Sequence, residues 1–243
     1  MARHPKTPFL LLLCLLMLPW QVQAQQSFQK WLTYNNTTKL SPTWGLTFDI
    51  NHRSKNLSFE DPFLLAGRMG ITYALPKNIS LTGGYSWFGH LSYTSVPLRL
   101  DENRLWQQVM VQQKYPGFLL SHRFRTEQRF IEKKPEKVQP KDYFDESARF
   151  RYALQLQGPF GADIKGLQWF TSNEIMLNAR ENTHGSLFNQ NRTLAGIIIS
   201  PDQNLDLAIL YQSIYQYSPL QKGMGWTNSA RITLLHRLDL SSK

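Results

Sequence analysis

Ser147-Ala148-Arg149-Phe150-Arg151-Tyr152-Ala153-Leu154-Gln155-Leu156-Gln157 decides the fold. Ala148, Phe150, Tyr152, Leu154 and Leu156 fall on one side of an extended chain, and Arg149, Arg151, Gln155 and Gln157 fall on the other. Period two over about ten residues is the mark of a strand with one apolar and one polar face. A helix would scatter both sets around its axis.

The same alternation recurs at about 29–40, 44–55, 63–75, 79–91, 102–115, 118–131, 145–157, 167–179, 191–200, 204–217 and 226–238. Each segment is long enough to cross a bilayer as a tilted strand. Turn residues separate several of them: Ser41-Pro42-Thr43, Pro76-Lys77-Asn78, Pro116-Gly117 and Pro201-Asp202-Gln203. These short breaks alternate with longer polar connections at 56–62, 92–101, 132–144, 180–190 and 218–225. Short and long connections in alternation are what an up-and-down barrel gives, so the fold class expected is all-β: an antiparallel transmembrane β-barrel. Bacterial single-chain barrels have even strand numbers. About twelve strands are therefore expected, with ten as the alternative, although eleven segments can be placed.

The first residues carry Arg3 and Lys6 without an acid, residues 9–18 are apolar, and Val22-Gln23-Ala24 offers small residues to a signal peptidase. This predicts a cleaved secretory signal over residues 1–24 and one barrel domain over 25–243. The apolar run is shorter than the roughly 20 residues of a spanning helix. Among the later segments, 205–217 is interrupted by Asp206, Gln212 and Gln216, so insertion as helices is not expected. Cys14, the one cysteine, lies inside the signal, which leaves the mature chain without a disulfide or a thiolate metal site. No cofactor and no metal are expected.

Without Arg3 and Lys6 the chain keeps 25 basic residues against 17 acidic ones, a net charge of +8. The arginines sit singly at alternate strand positions, not in blocks, and no nucleic-acid motif accompanies them. A basic barrel interior, or loops near anionic lipid, is the expectation in place of nucleic acid. Trp31, Trp44, Trp87, Trp106, Trp169 and Trp226 all fall near segment ends, where aromatic girdles lie in membrane barrels. Outer-membrane lipid and lipopolysaccharide, together with the outer-membrane assembly machinery, are the partners this implies.

The densest polar row is Arg123, Arg125, Glu127 and Arg129, joined by Arg149, Arg151, Glu174 and Arg192 in later segments. If these residues face inward, they form either a salt-bridge lattice that fills the barrel or a basic constriction for small anions. An enzymatic alternative, a lipid hydrolase or lipid-modifying enzyme, would use His90 and Ser92, two apart and so on one face of a strand. Glu127 and Glu174 are the carboxylates available for an acid and base pair, but arginine neighbours make them salt-bridge partners first. A soluble periplasmic β-sandwich is the remaining alternative.

Trp31-Leu32, His122-Arg123 with Glu127-Gln128-Arg129, Arg149 to Tyr152, Asn173-Glu174, and Phe188-Asn189-Gln190-Asn191-Arg192 before Gly196 occur in this order. In them the chain resembles the domain-of-unknown-function family 2490, predicted outer-membrane β-barrel proteins of Gram-negative bacteria. The resemblance implies a barrel in the cell outer membrane and brings no activity, substrate or catalytic residue. The chain departs from many such barrels at its last strand, which lacks a terminal aromatic residue.

Overall fold

The computed structural model describes residues 28–55, 61–92, 98–132, 144–161, 166–180, 186–218 and 223–241. The expected signal at 1–24, Cys14 and most of the long connection at 132–144 lie outside the described residues.

Eleven strands follow one another: β1 (Phe28–Lys39), β2 (Trp44–Lys55), β3 (Pro62–Leu75), β4 (Ile79–Ser92), β5 (Leu98–Tyr115), β6 (Phe118–Glu132), β7 (Phe144–Pro159), β8 (Leu167–Asn178), β9 (Phe188–Ile199), β10 (Leu205–Ser218) and β11 (Gly223–Asp239). Each pairs antiparallel with its neighbour in sequence, and β1 pairs with β11 to close a barrel. The quoted stretch is the centre of β7. Two turns show their chemistry directly. Lys77 and Asn78, in the three-residue connection between β3 and β4, both have positive φ, and Asn is one of the residues that tolerates it. Pro116-Gly117 places Gly117 at φ +90°, where a side chain would be strained.

Twelve strands are the expectation from parity; the barrel closes with eleven among the described residues. The parity rule assumes that the first and last strands meet antiparallel. Here β1 and β11 run parallel, with Trp31 opposite Arg231 and Lys39 opposite Asp239, so an odd number closes without a missing element.

Alternation sorts the side chains into two surfaces. Met69, Ile71, Phe124, Phe150 and Tyr211 point outward and are each half exposed or more. Polar residues on the outer wall bond to each other across strands. Thr126 Oγ1 donates to Gln107 Oε1 at 2.8 Å, and Asn173 Nδ2 donates to Thr193 Oγ1 at 2.9 Å and to Asn191 Oδ1 at 3.0 Å. Inward positions carry most of the buried charge, including Glu102, Arg104, Arg125, Glu127, Arg149, Arg151 and Glu174. Two apolar clusters also face inward: Leu64, Ala66 and Phe88 on β3 and β4, and Leu194, Ile198, Ala208 and Leu210 on β9 and β10, the latter with Phe170 and Leu235 against it.

Two tryptophans expected in the girdles are inside instead. Trp31 is 2% and Trp106 3% exposed. Trp106 lies flat on the inner wall, where Gly70 and Gly84 leave room; a Cβ on Gly84 would come within 2.5 Å of the indole. Arg125 covers that indole, 4.4 Å from the ring centroid, and Arg53 sits 3.5 Å from the ring centre of Trp31. The guanidinium faces hold both rings inward through cation–π contact. Trp44 and Trp226 face outward and are well exposed, packed against Tyr73 and Tyr215 with ring centres 4.8 and 4.9 Å apart. Trp87 and Trp169 are half-buried on the outer wall, beside Gly89 and Gly158.

Candidate functional site: a basic lumen

Three buried glutamates organise one side of the lumen. Glu102, on β5, accepts from Arg104 Nε at 2.8 Å and from Arg129 Nε at 2.5 Å, and lies 3.3 Å from His90 Nε2. Glu127, on β6, accepts from Arg149 Nη2 and Arg151 Nη1, both at 2.5 Å, with Arg104 Nη1 at 3.5 Å. Glu174, on β8, accepts from Arg123 Nη2 at 2.8 Å and from Arg151 Nε and Nη2 at 2.9 Å each. Arg104 and Arg151 each join two glutamates, so the groups form one continuous chain across β5 to β8.

The reason lies in register. Glu127 is directly opposite Arg149 across β6 and β7, which places opposite charges face to face. Arg125 is opposite Arg151 in the same ladder. That like-charge pair is relieved because the two side chains turn apart. Arg151 turns to the glutamates, and Arg125 donates to Gln108 Oε1 at 2.7 and 3.1 Å. Arg–carboxylate contacts of this kind are directional and roughly twice as strong as neutral hydrogen bonds.

The other side is different. Arg53 donates to Asn51 Oδ1 at 2.7 Å, Arg192 to Gln190 Oε1 at 2.7 Å, and Arg231 to Thr233 Oγ1 at 3.3 Å. None of these acceptors is charged. Arg68 has Asp49, its cross-strand neighbour, at 2.8 Å. Among the described residues, the body of the lumen thus holds ten arginines against four carboxylates, Asp49, Glu102, Glu127 and Glu174. The Arg237–Asp206 pair at the short-turn mouth adds no net charge.

A cavity of about 540 Å³ runs along the lumen, from His90 and Phe63 near the long-connection end to Gln157 and Ile198 near the short turns. Arg123, Arg129, Arg149, Arg151, Glu174 and Arg192 line it, whereas Arg125 and Glu127 are buried in the wall beside it. The eight residues picked out from the polar rows therefore all face inward. Sequence reasoning did not single out Glu102, Arg104, Arg53, Arg68, Asp49 or Arg231. Their signal was present as period two: Glu102, Arg104, Trp106 and Gln108 alternate in one segment and Asn51 with Arg53 in another.

For the hydrolase alternative, His90 faces the lumen and engages Glu102, a carboxylate already held by two arginines. The Ser92 side chain lies outside the described residues. Among the described residues, no group of three or more His, Cys, Asp or Glu is placed to hold a metal ion.

The family model described as "Protein of unknown function (DUF2490)" matches residues 28–224, from the first residue of β1 into the start of β11. The chain belongs to this family. The DUF2490 match takes in every member of the glutamate–arginine lattice. No curated protein matches the chain.

Proposed function

We propose that this DUF2490 protein is an outer-membrane β-barrel, not an enzyme, whose narrow basic lumen passes small anionic solutes. The observation that carries this reading is the cavity running along the lumen, lined among the described residues by nine arginines and two carboxylates, Glu102 and Glu174. Rings of fixed charge select permeant ions of opposite sign, and an arginine-lined path favours anions. The glutamate lattice keeps the wall rigid, while the uncompensated arginines supply the field.

Membrane insertion is supported by the outer wall. Soluble proteins rarely expose a contiguous apolar surface of more than a few hundred Å². A barrel encircled by Met69, Ile71, Phe124, Phe150 and Tyr211 is suited to lipid as its solvent. In this reading residues 1–24 direct export and are removed, and the assembly machinery inserts the chain. The short turns then face the periplasm, and the long connections meet lipopolysaccharide.

The test is single-channel conductance of the refolded mature chain in planar bilayers, after a heat-modifiability gel has established folding. A steady current with an anion-preferring reversal potential under a salt gradient is expected. A folded, silent barrel would sink the passage reading and leave the arginine rows a structural lattice.

A further inference from the structure

Among the described residues four inward arginines have no carboxylate partner; Arg125 donates to Gln108, and the other three, Arg53, Arg192 and Arg231, are gathered in one place. At the closing seam, the register sets Arg53 of β2, Trp31 of β1 and Arg231 of β11 side by side, all facing inward. Arg192 of β9 reaches the same indole, 5.3 Å from its centre, against 3.5 Å for Arg53. All three arginines line the cavity and are less buried than Arg104, Arg149 and Arg151, lattice arginines that also face it. The nearby carboxylates do not serve them: Asp49 is taken by Arg68, and Glu174 by Arg123 and Arg151. Three guanidinium groups at close quarters, partly out of water, repel each other and lack a counter-charge.

Beside this cluster the wall turns apolar. Leu210 is directly opposite Arg231 in the β10–β11 ladder, and Leu194 lies two residues beyond Arg192 on the same face. Ile198 and Leu235 continue the surface toward the short turns. From Arg192 to Ile198 the strand covers about 20 Å at roughly 3.3 Å per residue. A free inorganic anion would use the arginines and ignore this surface. A purely apolar solute would leave the arginines uncompensated.

We infer that the seam cluster binds an amphiphilic organic anion, with a carboxylate head on Arg53, Arg192 and Arg231 and an alkyl body along Leu194, Leu210 and Ile198. The planar fork of each guanidinium matches a carboxylate, and Trp31 fixes the orientation of two of them. This inference rests on the reading of the chain as a membrane barrel with a basic, accessible lumen, and it names the class of solute that the lumen takes.

Octanoate is the probe, titrated calorimetrically into the refolded chain in discs of zwitterionic phosphatidylcholine, with empty discs subtracted. Acetate supplies the head alone and octanol the tail alone. Octanoate is expected to bind at least about tenfold tighter than either. Arg192→Gln and Arg53→Gln should each weaken octanoate about tenfold or more, the size of one lost charge-assisted hydrogen bond. Both variants should still fold, because each removes a charge that has no carboxylate partner among the described residues.

Equal binding of acetate and octanoate would overturn the inference, and so would octanoate affinity unchanged in both arginine variants. A barrel that binds octanoate through Arg192 but carries no current would refute passage and keep the binding site. An anion-conducting barrel indifferent to Arg192→Gln in octanoate binding would do the reverse.

Discussion

Glu127→Gln isolates the energetics of the lattice, because it removes one charge and almost no volume. The Glu127 side chain is 3% exposed and that of Arg149 5%. Arg104 would keep Glu102, and Arg151 would keep Glu174. Arg149 alone would be stranded, with Asn189 Oδ1 at 3.1 Å as its remaining acceptor. Removing one partner of a buried ion pair costs about 3–5 kcal/mol. Asn189 and the neighbouring cavity soften that cost, so about 3 kcal/mol is expected, roughly 150-fold in the folding equilibrium. The assay is urea unfolding of the refolded protein in lipid vesicles, followed by the heat-modifiable gel band. The double variant Glu127→Gln/Arg149→Gln should regain about 2 kcal/mol relative to the single one, since no charge is then left alone. A single-variant loss below about 1 kcal/mol, or strictly additive effects in the double, would refute the lattice as a coupled unit.

Four other substitutions probe the walls. Gly84→Ala would bring a Cβ to 2.2 Å from the Met69 carbonyl oxygen and 2.5 Å from Trp106, so unfolding in urea should show a loss of about 2–3 kcal/mol. Gly67→Ala, with open space at its Cβ, should stay within about 1 kcal/mol of wild type in the same experiment. Ile71→Arg on the outer wall should cost about 2–4 kcal/mol in vesicles if that surface meets the centre of the bilayer; a neutral result would count against insertion. His90→Ala should leave Glu102 held by Arg104 and Arg129 and change stability by less than about 1 kcal/mol. Any phospholipid hydrolysis by wild type that disappears in this variant would revive the hydrolase alternative.

The strands were legible because burial alternates with the pleat. Ser147 to Gln157 lies within β7, and Arg149 and Arg151 face inward as their spacing dictates. Inward placement of Arg123, Glu127, Glu174 and Arg192 follows from the same period. Trp31 was harder, because both faces of β1 carry polar residues: Thr33 and Asn35 on one side, Asn36 and Thr38 on the other. Trp106 shares its face with Glu102 and Arg104, so its inward turn was written in the pattern; its place near a segment end suggested the opposite. Which arginine meets which glutamate was not legible. Glu174 is in register with Arg192 yet bonds Arg123 and Arg151, a choice set by barrel curvature and side-chain reach. The parallel closure had no side-chain signature either, since a ladder is made by backbone groups common to every residue.

That closure also orders events in time. Ten junctions of the barrel join strands adjacent in sequence, whereas Phe28 finds Asn228, and Trp31 finds Arg231, across about two hundred residues. Contacts so distant carry the largest loop-closure cost of any in the chain, and parallel ladders are slightly weaker per residue than antiparallel ones. The ten hairpin junctions can therefore assemble as a curved open sheet before its two edges meet. The joining of β1 to β11 is expected to come last in folding, and their parting first in unfolding. Whatever occupies the arginines beside Trp31 would act on that step, as a clasp on the one wall of the cylinder that no hairpin holds shut.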